Sequence, residues 1–153
     1  MKIKAFLDTN VIMDVLQAGR PASAFSQIIF QAVFERRIEA VITSQSVIDA
    51  SYIVFKSGAE SSFFKTLEKW FDYINMDRID TFDLRWAIRN FSGDFEDDAQ
   101  VSRALDTFCD VFVTGDRKLR EKYAHKYEFL LFMSPEEFVN CMKGESAPGE
   151  CTF

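Results

Sequence analysis

The stretch "FLDTNVIMD", residues 6–14, decides how this chain is read. The residues before it, Ile3-Lys4-Ala5-Phe6-Leu7, have the pattern of a buried strand that should end in a turn. The strand stops abruptly on an acid, a hydroxyl and an amide. Asp and Asn are common turn formers, so Asp8-Thr9-Asn10 has an ordinary reading as a turn with a helix cap. Its other reading depends on whether further carboxylates reach the same place in space.

Working outward, residues 3–8 form the first expected strand. "PASAFSQIIFQAVFERR" follows as a helix, with Pro21 suited to its first turn and Phe25, Ile28, Ile29, Ala32 and Val33 on one face. "IEAVIT" (38–43) is a short strand, and Ser44 can cap a helix over 45–57 that Gly58 ends. A helix over 60–74 points Phe63, Phe64, Leu67, Trp70, Phe71 and Ile74 inward. An extended piece near 76–80 leads to a helix over 82–91. "SGDFEDDAQVSRALDTF" starts a helix at Asp94, with Val101, Ala104, Leu105 and Phe108 as its buried stripe. "DVFVTGD" (110–116) is a strand running into a turn, and "EFLLFM" (128–133) is the last strand. "SPEEFVNCM" closes the domain as a helix capped by Ser134, with Pro135 at its first position.

Strands alternating with helices imply an α/β fold, with three α/β/α layers around a mostly parallel sheet. One domain over 1–143 is expected, followed by a Gly/Ser/Pro-rich tail over 144–153 expected to be disordered. The composition is globular: 48% of the 153 residues are apolar and 17 are Phe. No signal-peptide pattern and no apolar run near the ~20 residues of a membrane span is visible, so the expectation is a cytoplasmic protein with no membrane contact. Cys109, Cys141 and Cys151 are odd in number and have no CxxC spacing, which reads as reduced thiols. The single histidine, His125, reads as a surface residue, and chemistry built on histidine pairs is excluded. A net charge of −6 argues against coating nucleic acid through charge alone. It suits a chemistry confined to one metal-filled pocket, or a basic partner.

In an open parallel sheet, ligands bind beyond the carboxyl ends of the strands. Asp8 and Asp116 each end a strand, Asp49 lies early in the helix after "IEAVIT", and Asp94, Glu96, Asp97 and Asp98 open the helix before the Asp116 strand. Four segments thus aim acids at one rim. Singly, each acid reads as a cap, a turn or a dipole partner. Jointly they repel one another unless a proton or a cation intervenes. Asp97 precedes Val101 and Ala104 by four and seven residues, and Asp98 precedes Val101 and Leu105 by three and seven. They border the buried stripe from its two sides, and at least one should face the sheet edge. All the candidate ligands are oxygens, which favours Mg²⁺ or Mn²⁺ over zinc.

These segments resemble the PIN-domain family of metal-dependent nucleases over about residues 3 to 142, in its VapC-type, toxin-like form. "FLDTNVIMDVL" looks like the family's first signature, giving Asp8 as a metal ligand and Thr9 a hydroxyl role. "TSQSVIDASYIV" is similar to the second-acid segment, with Asp49 where many members have Glu. "DFEDDAQVSRAL" resembles the "DFEDALQ" form of the third acid, Asp97, with Asp98 where Ala is more usual. "DVFVTGDRKL" matches the fourth segment, giving Thr114 and Asp116. The resemblance implies a Mg²⁺- or Mn²⁺-dependent endoribonuclease with Asp8, Asp49, Asp97 and Asp116 as its acids. Asp8, Asp97, Asp116 and Asp98 are the metal-ligand candidates, and Thr9, Asn10 and Thr114 would position water or ligand. Arg117 and Lys118, next to the site, are candidates for RNA phosphates, against an ordinary reading as a solvated turn.

Many bacterial relatives are toxins of type II toxin–antitoxin pairs, which implies RNA as substrate and a small antitoxin as partner. Others process RNA without such a pair, and a PIN-like fold could also serve as a non-catalytic interaction module. A phosphatase using Asp8 as nucleophile would want a second acid two residues on, where Asn10 stands. The aromatic rings of the first helices, from Phe25 and Phe30 to Phe63 and Phe64, read as core by their helical spacing, with a homodimer face or a groove for a partner helix as the alternative for some of them.

Overall fold

The computed structural model describes residues 1–145, 151 and 153. Its sheet is built from short apolar runs: β1 (Lys4–Leu7), β2 (Glu39–Thr43), β3 (Asn75–Asp77), β4 (Val111–Val113) and β5 (Leu131–Met133). All pairings are parallel, in the order β3-β2-β1-β4-β5. The helices are α1 (Thr9–Leu16), α2 (Ser23–Phe34), α3 (Ser44–Phe55), α4 (Glu60–Phe71), α5 (Thr81–Arg89), α6 (Phe95–Asp106), α7 (Arg117–Tyr123) and α8 (Pro135–Lys143).

Both sheet faces are covered, so between their end residues the central strands are apolar on both faces. Ala5, Leu7, Ala40, Ile42, Val111 and Val113 face one core, with Val11 and Ile12 of α1, Ile29 and Phe30 of α2, Trp70 of α4 and Phe138 of α8. Phe6, Val41 and Phe112 face the other, with Val101 and Ala104 of α6 and Leu119 and Tyr123 of α7. This is the expected α/β layering, with a sheet that is wholly parallel.

The predicted caps at Asp94 and Ser134 are present, the latter as a capping box with Glu137 behind Pro135. Gly144 then ends α8 in the left-handed region, at φ 72°. The cap of α3 is Thr43, whose hydroxyl accepts from Ser46 N–H, and Ser44 is already helical.

Several expectations are corrected. The residues after Asp8 form a helix, because Val11, Ile12 and Met13 are all buried. "RKLREKY" is helix α7, in place of a solvated turn after Asp116. Phe64 and Phe71 flank the inner stripe of α4 and are exposed, as is Phe108, which follows α6 at φ 54°. Cys141 and Cys151 are joined as a disulfide, with Cα atoms 5.7 Å apart, so only Cys109 among the described residues is a free thiol. Most of the tail expected to be disordered, 146–150 and 152, lies outside the described residues.

One buried charge holds α5 against α6. Arg103 reaches Asp83, which is 0% exposed, through Nε at 3.0 Å and also through Nη2. It pairs further with Asp80 and Asp106, each at 3.0 Å. Ser102 adds a hydroxyl to Asp83 at 2.8 Å. Removing the guanidinium leaves a fully buried carboxylate unpaired. Arg103→Leu is therefore expected to lower unfolding stability by about 3 kcal/mol, measured by urea denaturation. A loss below about 1 kcal/mol would class the pair with ordinary surface bridges.

Candidate metal centre at the carboxyl edge of the sheet

β1 and β4 run side by side with Leu7 opposite Val113. The chain therefore leaves both strands at the same level, one residue before Asp8 and Thr114. From β1 the sheet continues outward through β2, and from β4 through β5. The seam between β1 and β4 is thus the switch point of the topology, where open parallel sheets have a crevice.

Asp8 N–H donates to Val113 O at 3.1 Å. The Asp8 carboxylate accepts from Thr9 N–H at 2.6 Å as the cap of α1, and from the Thr114 hydroxyl at 2.7 Å. The Thr114 oxygen in turn accepts from Asp116 N–H at 3.0 Å. Thr114 therefore ties the two strand-end acids together. Asp116 caps α7 by accepting from Leu119 N–H at 3.2 Å, and Asp94 caps α6 by accepting from Asp97 N–H at 3.0 Å. The ordinary reading and the functional one coincide here: capping holds each carboxylate in place.

Electrostatics shows which acids face one another. Asp8 is 3% exposed. Burial pushes its carboxyl up to about 6, partly offset by the bonds from Thr114 and Thr9, with Glu96 and Asp116 adding repulsion. Burial also pushes Asp97 up to about 7, with repulsion from Asp8, Asp94, Asp116 and Glu96. Glu96 is raised by burial and by Asp49 and Asp94, and lowered by a hydrogen bond from Gln100. Asp49 thus stands at the margin, next to Glu96, with Gln45 Nε2 on its carboxylate at 2.9 Å.

Asp98 faces elsewhere. It is fully buried and accepts from Ser92 N–H at 2.7 Å, from the Ser92 hydroxyl and from the Tyr123 phenol. Its bonds join the loop before α6 to α7. Thr9 is half-buried and donates to Ser46 Oγ at 2.7 Å, while Asn10 is exposed. Arg117 and Lys118 are exposed on the first turn of α7, where Arg117 Nε pairs with Glu121 at 2.6 Å.

Three residues of the site carry little sequence signal. Glu96 sits in an acidic run, Ser46 lies within a helix start, and Gln100 lies in the buried stripe of α6. The four-residue step from Glu96 to Gln100 is the one cue that they share a helix face.

The donor set suits a hard divalent cation: the acids offer only oxygens, and two of them are driven toward neutrality by burial and mutual repulsion. Among the described residues, no three His, Cys, Asp or Glu side chains are arranged to grip an ion as they stand. Like charges without a counter-ion keep apart. Glu96 is exposed and Asp97 is half-buried.

The shifts fix a pH dependence. Both carboxyls bind a proton more tightly in the folded protein than at their ordinary value of 3.8, so the folded state holds protons that the unfolded chain has released. Stability of the metal-free protein from these groups falls as pH rises from about 4 to about 7, the window between the two Asp97 values. Asp97→Asn should flatten that slope in thermal melts across the window. An unchanged slope would show that neither burial nor its neighbours raise Asp97.

A family model for the PIN domain matches residues 4–118. No curated protein matches the chain. Among solved structures, the chain is similar to PAE2754 from Pyrobaculum aerophilum at 14% identity, over 94% of this chain and 98% of that one, with a TM-score of 0.61. At that identity the likeness speaks to the fold. PIN domains are generally nucleases, and with more than half of its length matched by the family model, this chain belongs to the PIN-domain family.

Proposed function

We propose that the protein is a Mg²⁺- or Mn²⁺-dependent endoribonuclease, and the toxin of a type II toxin–antitoxin pair. The observation that carries the nuclease reading is the meeting of Asp8 and Asp116 at the β1/β4 seam through the Thr114 hydroxyl, with Asp97 of α6 near enough to both for their charge to add to its burial in raising its carboxyl. Asp8, Asp97 and Asp116 would hold the cation. When bound, it activates water for in-line attack on a phosphodiester and stabilises the leaving oxygen. Thr114 fixes the orientation of Asp8 and the approach of Asp116. Asp98, with three hydrogen bonds of its own, supports α6 and α7 and is set aside as a ligand. Asp49 would act beside Glu96, through water. Lys118 and Arg117 stand next to Asp116, where a phosphate leaving the site would pass.

The antitoxin part rests on charge and exposed apolar surface. The chain carries a net −6 and the pocket gathers acids from several elements, which a basic segment of a partner could neutralise. On α3 and α4, Tyr52 and Phe64 are exposed, and Phe64 packs its ring 5.6 Å from Phe55. Such surface suits the apolar side of a partner helix.

Two outcomes are expected. The purified protein should cleave single-stranded or loop RNA, lose that activity in EDTA, and lose it as Asp97→Asn while keeping its fold by circular dichroism. Cleavage undiminished in EDTA would end the metal reading. Expression alone should arrest growth of the host, and co-expression of the product of the adjacent gene should relieve it through a stable complex. A chain that is active, harmless and unaccompanied would end the toxin reading and leave the nuclease.

A further inference from the structure

Helix α5 turns two kinds of side chain to solvent beside the acid cluster. Its buried residues are Asp83 and Ala87, and Asp83 meets Ser102 and Arg103 near the end of α6. Arg85 and Arg89 each lie two residues further along, about 200° round the helix, and are exposed. Phe82 and Ile88 are exposed as well, at 60% and 67%. Early α5 packs on late α6, so the two helices run antiparallel. The loop 90–94 therefore brings the chain from the end of α5 to the start of α6, where Asp97 stands.

Two further rings follow along that connection. Phe91 is 63% exposed and Phe95 is 44% exposed. The backbone beneath both is held by hydrogen bonds. Ser92, next to Phe91, donates to Asp98 through its N–H at 2.7 Å and through its hydroxyl. Phe95 is the first residue of α6, whose cap Asp94 accepts from Asp97 N–H at 3.0 Å. Phe95 thus stands two residues before an acid of the cluster, on a helix start that is fixed in place.

Single exposed rings are ordinary, but a run of them beside one site marks a contact surface. The charge says what kind. Acidic residues outnumber basic ones by 24 to 18, yet Arg85 and Arg89 stay outside the ion pairs of the described residues. Unpaired cations interleaved with flat rings match a polyanion with flat, unstacked bases. A duplex keeps its base faces in its own stack and cannot use the rings. A purely apolar helix would cover the rings and leave both guanidinium groups unanswered. We propose that the outer side of α5 and the loop after it form a platform for single-stranded RNA: bases stack on Phe91 and Phe95, Arg85 and Arg89 hold phosphates, and the strand is led to the acid cluster. This rests on the nuclease reading given above and names the form of its substrate.

The test is binding of a fluorescent single-stranded RNA, by anisotropy, to the Asp97→Asn chain, which on that reading does not cut it. Three double substitutions are added to that chain. All lie at exposed positions, so their melting temperatures should match that of the parent. Phe91→Leu with Phe95→Leu keeps apolar bulk but removes the flat faces, and should weaken binding about tenfold or more. Phe91→Tyr with Phe95→Tyr keeps the faces and should bind within about twofold of the parent. Arg85→Gln with Arg89→Gln should lower the slope of log affinity against log salt by about 1.4, for two lost phosphate contacts on a single strand. The same sequence closed into a duplex should bind all the ring variants alike. Leu and Gln variants that bind the single strand as the parent does overturn the inference, and a wild type that still cuts RNA in Mn²⁺ then leaves the nuclease reading standing. A Leu pair that binds as well as the Tyr pair overturns it too, since the contact is then apolar and not stacking. If the wild type is a dimer, the Gln pair is a monomer and RNA affinity is unchanged, the face belongs to a second copy of the chain and the RNA assignment falls. A wild type that leaves RNA whole in Mn²⁺ removes the nuclease reading itself, and this inference with it.

Discussion

The Thr114 hydroxyl that donates to Asp8 across the β1/β4 seam is the contact on which the site depends. It exists because two strands far apart in sequence lie side by side, with Leu7 level with Val113. A slip of that pairing by one residue would exchange the two faces of β4. Val113 and Val111 would then leave the core shared with Leu7, and Phe112 would leave its stack on Phe6, where the rings lie 5.0 Å apart. The packing of both cores fixes the register, and the register fixes the distance between Asp8 and the acid that follows Thr114. The site is a consequence of how the sheet packs on both faces.

Against that frame, the buried acids fall into two kinds. Asp83 has Arg103 and Ser102. Asp14 has Arg20 at 2.8 Å and Ser26 at 2.9 Å. Asp98 has Ser92 and Tyr123. Each is answered by donors and serves to join neighbouring elements. Asp8 has donors too, Thr9 N–H and the Thr114 hydroxyl, but it and the half-buried Asp97 are raised by burial and, after it, by other carboxylates. Raised carboxyls that face one another are a pattern functional sites share.

Much of this was legible in the sequence, for physical reasons that can be named. Strands buried on both faces read as unbroken apolar runs, and caps such as Ser134 and Asp94 mark helix starts whatever the tertiary context. The order of elements alone brought Asp8, Asp97 and Asp116 to one rim. Helix α1 was not legible because Val11-Ile12-Met13, straight after three turn-forming residues, lacks helical periodicity; its helix follows from burial on several sides. Helix α7 was hidden by its charge, since Leu119 and Tyr123 alone of its residues are buried. Phe64 and Phe71 each lie one residue along from a buried Phe63 or Trp70, a step too small for spacing to tell the edge of a stripe from its centre. Parity of cysteines says nothing about whether α8 brings two of them together.

The same limit explains why Asp97 and Asp98 could not be separated. Adjacent helical residues point about 100° apart, and only packing decides which of them turns to the sheet edge. Here the rotation of α6 is set from two sides. Asp98 binds it to α7 through Tyr123, and Arg103 binds it to α5 through Asp83. Buried polar pairs of this sort add little net stability, and their best-attested use is to select one arrangement over its neighbours. That selection is what an acid cluster needs. Repulsion among Asp8, Asp97, Asp116 and Glu96 would be relieved by rolling α6 away from the seam, and the two pins oppose the roll. The repulsion is then met at the side chains, by a proton or, on the reading proposed above, by a cation.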